Sequence, residues 1–85
     1  MNIIQFKFCL KWKEELLCEC PLGSFILEAV GTTINVYLPP EKSWGLIAPN
    51  WAIPFYAELE IQLVEWCSKN NATLHVENNA WVAKV

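Results

Sequence analysis

The sequence predicts an α+β fold of two layers, an antiparallel sheet of five to six strands with one helix packed across it, in the order β-β-β-β-α-β-β. Three observations predict it. Apolar and polar residues alternate with a period of two along most of residues 4–38, turn-forming residues interrupt that alternation at short intervals, and residues 55–69 change to a period near 3.6. A chain of 85 residues is expected to form a single domain spanning residues 1–85. Such a domain buries only about 60 to 65% of the surface its unfolded form exposes, so its core must be rich. Hydrophobic residues make up 54% of the chain and aromatic residues 13%, which meets that need.

The first strand reads Ile4, Phe6, Phe8, Leu10 and Trp12 on one face, with Gln5, Lys7, Cys9, Lys11 and Lys13 on the other. A loop at Lys13-Glu14-Glu15 sets Trp12 opposite Leu16, Leu10 opposite Cys18 and Phe8 opposite Cys20. The turn Pro21-Leu22-Gly23-Ser24 then pairs Cys20 with Phe25 and Cys18 with Leu27. A two-residue turn at Gly31-Thr32, with glycine where positive φ is required, sets Ala29 against Ile34, Leu27 against Val36 and Phe25 against Leu38. All three pairings keep one face apolar, and a slip of a single residue would invert a whole strand. Together they form a four-stranded meander.

Pro39-Pro40 ends the fourth strand because proline cannot donate to a ladder. Residues 41–53, with Trp44, Gly45, Leu46, Ile47, Pro49 and Trp51, read as a long apolar loop. Pro54 suits the first turn of a helix, and residues 55–69 follow without another breaker. On that helix Phe55, Tyr56, Leu59, Leu63, Trp66 and Cys67 form one stripe, and Glu58, Gln62, Glu65 and Lys69 the opposite one. Ala57, Ile61 and Val64 make a second apolar strip, to be covered by the tryptophan loop or by a partner. After Asn70-Asn71, residues 73–77 and 80–85 read as a C-terminal hairpin around Asn78-Asn79, with Val76 facing Trp81 and Leu74 facing Ala83.

The chemistry is narrow. Arginine and aspartate are absent: the six cations are lysines, the nine acids are glutamates, and His75 is the one histidine. A net charge of −3 argues against nucleic acid as a partner, since that affinity rests on clustered cations, and no guanidinium fork is present to grip phosphate or guanine. Cys18, Cys20, Cys67 and His75 could supply metal ligands by type. Residues two apart on a strand have roots separated by roughly 6.6 Å, wider than neighbouring thiolates of a tetrahedral site, and the register turns both sulfurs into the core. No metal or other cofactor is therefore expected.

Catalysis is not expected either. His75 falls on the polar face with Thr73 and Glu77, whereas Cys18, Cys20 and Cys67 fall on the apolar one, and only Cys9 shares the outer side. The carboxylate pairs Glu58 with Glu65 and Glu19 with Glu28 are expected on solvated faces rather than in the cleft that acid–base catalysis needs. Residues 1–13 lack the basic patch and continuous apolar block of a secretory signal, no run is long enough to cross a membrane, and the four cysteines suit a reducing cytoplasm.

Binding remains. Trp44 and Trp51 either anchor an interface or cap the core, Glu58, Glu60 and Glu65 can steer a basic protein, and Ile61 supplies exposed apolar surface beside them. The expectation is a small non-catalytic intracellular protein, of the kind of the immunity proteins and antitoxins of bacterial toxin systems, that occludes the surface of a cognate basic toxin. The alternative is a structural or assembly subunit acting as a homodimer, through the Ala57, Ile61, Val64 strip or a sheet edge.

Overall fold

Alternation dictates the sheet. In the computed structural model, which describes residues 4–11 and 14–85, six strands follow the alternating segments: β1 (Lys7–Lys11), β2 (Glu15–Cys20), β3 (Gly23–Val30), β4 (Asn35–Leu38), β5 (Thr73–Val76) and β6 (Val82–Lys84). The helices are α1 (Glu41–Ile47), a 3-10 segment (Asn50–Phe55) and α2 (Tyr56–Lys69). The architecture is the expected mixed α+β one, with a mostly antiparallel sheet and one long helical element across it. The expectations placed on Trp12 and Lys13 lie outside the described residues.

Every strand of the meander presents the expected face, yet every register is displaced by two residues. Phe8 pairs with Cys18 and Leu10 with Leu16. Cys18 pairs with Phe25 and Leu16 with Leu27, and Ala29 pairs with Val36. A slip of two leaves the period-two pattern unchanged, so hydrophobicity cannot detect it; the turns decide it. Cys20 opposite Gly23 leaves Pro21-Leu22 as a two-residue turn rather than a four-residue one. Gly23 can stand in the strand because the Trp51 indole lies on it: a Cβ there would sit 2.8 Å from Trp51 Nε1. Between β3 and β4 the turn lengthens to residues 31–34, with Gly31 at φ 96°. The Asn35 amide holds it, donating to Thr33 O at 2.7 Å and Val30 O at 3.3 Å.

The two C-terminal strands flank a tight turn, closed by the Ala80 N–H on Glu77 O at 3.1 Å. Their ladders differ from the expected facing of Val76 with Trp81 and Leu74 with Ala83. β5 pairs in parallel with β4, setting Val36 beside Leu74 and Tyr37 beside His75. β6 pairs antiparallel with β3, setting Ile26 beside Ala83. Pro39-Pro40 draws the chain off β3 after Leu38, which leaves residues 25–27 without a neighbour on that side, and β6 fills the position.

Residues 41–53 are mostly helical rather than a loop, with a break at Ala48-Pro49 between α1 and the 3-10 segment. Pro40 caps α1 with its fixed φ, Glu41 stands favourably in the first turn, and the segment turns Trp44 inward. Pro54 belongs to the 3-10 segment, and α2 starts two residues later. The α2 stripe packs as expected: Tyr56, Leu59, Leu63 and Cys67 are buried, and Phe55 and Trp66 are half-buried against the same core. They meet Leu16, Cys18, Phe25, Leu27, Val36 and Leu38 from the sheet. The Tyr56 hydroxyl donates to Pro39 O at 2.7 Å, tying the start of α2 to the end of β4.

Candidate interaction surface

The two loop tryptophans separate in role. Trp44 is 1% exposed, and its Nε1–H donates to Ala52 O at 3.1 Å. It meets Phe25 edge-on at 5.3 Å and lies 5.7 Å from the Tyr56 ring. A group so enclosed caps the core and joins α1, the 3-10 segment and the sheet. Trp51 is half-buried, 5.9 Å from Phe25, with one side of its indole against Gly23.

The α2 residues divide by direction. Ile61 is 68% exposed and Val64 54% exposed, so the helical tryptophan segment does not cover this strip. Glu65 is exposed and accepts from Lys69 Nζ at 3.3 Å, an i,i+4 pair worth a few tenths of a kcal/mol, about 0.3–0.5. Glu58 and Glu60 are half-buried, and Glu58 Oε2 is shielded without a hydrogen-bond donor among the described residues. Burial, with the negative charge of Glu60 and then Glu41, pushes the Tyr56 hydroxyl up to about 12. Glu60 therefore lies on the Tyr56 side of the helix, where it also lines the groove toward β5, while Glu65 stands on the outer face.

A groove runs between α2 and β5, lined by Glu60, Val64, Cys67 and Ser68 from the helix and by Leu74 and Val76 from the strand. Val76 is 49% exposed there. Together with Ile61 and Val64 it makes an apolar patch that the sequence indicated only in its helical half, because the strand half depends on which edge β5 occupies. On the other side of α2, Gln62 clamps the N-terminal segment: its Oε1 accepts from Phe6 N–H at 2.8 Å and its Nε2 donates to Ile4 O at 2.7 Å. Gln62 was expected as a solvated residue, and nothing in its spacing announces this bidentate role.

The groups with reactive chemistry are dispersed. Cys18 and Cys67 are buried, and burial pushes both thiols up, away from the nucleophilic thiolate form. Cys9 is exposed on the outer face. His75 is held by Asn35, donating from Nε2 to Oδ1 at 2.9 Å in the tautomer that this acceptor selects, and it stacks on Tyr37 at 5.0 Å. Among the described residues no three His, Cys, Asp or Glu side chains gather as a metal would need. No helix of the described residues is long and apolar enough to cross a membrane. Comparison with known proteins finds no matching family model, curated protein or solved structure.

Proposed function

We propose that the chain is a small non-catalytic binding protein of the immunity or antitoxin kind, which neutralises a cognate basic toxin in the cytoplasm by covering its surface. One observation carries this reading. Ile61, Val64 and Val76 are large and exposed on and beside α2, Glu60 lines the same groove as Val64 and Val76, and Glu65 follows Val64 on the helix. Apolar anchors beside charge of one sign form a contact in which the charge steers encounter and the anchors hold.

The open edge of β5 favours a second reading, association with another copy of the chain. Co-expression with the product of the neighbouring reading frame, followed by affinity capture at low and high salt, tests the first. A basic partner retained in a fixed ratio, and lost on Ile61→Asp or on Glu58→Lys with Glu65→Lys, is the expected result. Retention unaffected by those changes, or recovery of this chain alone at twice its mass, would sink the proposal.

A further inference from the structure

This inference rests on the binding reading and specifies the form of the contact. We propose that β5 is a docking edge that accepts an extended, cationic segment of the partner protein as an additional strand, with its inward side chains filling the groove beneath α2.

The backbone carries the first part. Thr73 N–H donates to Ile34 O at 2.9 Å and Glu77 N–H to Leu38 O at 3.0 Å, so these residues turn their backbone groups toward β4. Backbone groups alternate in direction along a strand, so the N–H and C=O of Leu74 and Val76 point the other way. Among the described residues no strand pairs on that side of β5. Four polar backbone groups thus stand in line, spaced for a strand.

The edges at β1 and β5 differ in how they are guarded. Natural edges are blunted by lysine, proline, bulges or inward charge. β1 carries Lys7 and Lys11, both exposed. β5 reads Thr73, Leu74, His75, Val76 and uses none of those devices.

Charge then selects the occupant. Leu74 and Val76 share a face with Val36 and Leu38, directed toward α2, where Glu60 overlooks the groove. No lysine lines that groove. On the opposite face of β5 stand Thr73, His75 and, just beyond the strand, Glu77; His75 is already engaged with Asn35 and Tyr37. A second copy would bring another Glu77 to the same seam, whereas in a foreign strand that alternates lysine or arginine with valine-sized residues the cations fall on the Glu77 face and the valines on the groove face. Alternate apolar side chains would pass under Val64 while the strand's amides pair with Leu74 and Val76, the general mode of strand addition.

The test titrates the isotopically labelled full chain with an end-capped peptide, Lys-Val-Thr-Val-Lys, and with its Glu-Val-Thr-Val-Glu counterpart, following amide resonances and hydrogen exchange. The lysine peptide should move the Leu74 and Val76 amides and slow their exchange, with a dissociation constant at least about tenfold lower than that of the glutamate peptide. Glu77→Lys, folded by circular dichroism, should reverse that preference. No shift at these amides with peptide near about 1 mM, equal binding of both peptides, or shifts confined to β1 would overturn the proposal. Slow exchange at Leu74 and Val76 without peptide, at twice the monomer mass, would overturn it in favour of a second copy. A partner captured through Ile61 without a peptide response removes the added strand and leaves the binding reading, whereas a peptide response without any captured partner does the opposite.

Discussion

The flank of α2 that faces β1 and the flank that faces β5 are both apolar, yet the first is pinned by side-chain contacts around a small cleft and the second opens into a wider groove. On the β1 side Trp66 meets Phe8 edge-on at 6.2 Å, Phe6 stacks with Phe8 and meets Phe25, and Gln62 ties residues 4 and 6 through two backbone hydrogen bonds. On the β5 side Val64 and Val76 face a groove lined, among the described residues, by α2, β5 and Ala72 alone. Hydrophobicity does not distinguish them. The difference is one amide side chain able to satisfy an edge's backbone groups, present at position 62 and missing at position 64.

The comparison can be broken at four points. Trp66→Ala should cost the most, about 2–3 kcal/mol in urea unfolding, because it empties the pinned flank and strands Phe8. Gln62→Leu keeps the volume but leaves a backbone donor and acceptor unpaired; a loss of about 1–3 kcal/mol and faster exchange at the Phe6 amide are expected. If stability were unchanged, the pinning would be purely apolar and the contrast would fail.

Tyr56 lies beneath both flanks and titrates with a definite sign. Its folded-state pKa is raised to about 12 by burial and by Glu60 and Glu41, so the fold favours the neutral phenol. The tyrosine contribution to stability is complete below the unfolded value of about 10 and is lost as pH rises toward about 12. Tyr56→Phe should flatten that alkaline decline, and an unchanged slope would assign it to other groups. The smallest effect belongs to the open flank: Val64→Lys should shift stability by no more than about 0.5 kcal/mol while abolishing the contact made there. A larger loss would show that the groove is structural.

Much of the fold was legible because the period-two pattern fixes which face of each strand is buried, and Cys18, Phe25, Leu27 and Val36 are all fully enclosed as that pattern requires. Register was not legible, since turns at Pro21-Leu22 and residues 31–34 differ from the expected ones by steps that preserve the face. α1 was hidden behind Gly45 and Pro49, although Pro40 followed by Glu41 is a helix-start signal. The parallel placement of β5 had a cue in the long helical connection from β4, the length a parallel crossover needs. Of the surface, Ile61 and the α2 glutamates were readable from spacing, whereas the contribution of Val76 required knowing the sheet order.

The pairing of β6 with β3 has a kinetic consequence. Phe25 opposite Lys84 joins residues far apart in the chain, while the pairings among β1, β2, β3 and β4 join consecutive strands across short turns. Loop-closure entropy makes such distant pairings late events, after the local meander has formed and α2 has docked. Contacts made after the transition state govern how fast a protein opens more than how fast it folds. Weakening the β3–β6 seam would therefore shorten the lifetime of the folded molecule while leaving its rate of formation nearly untouched.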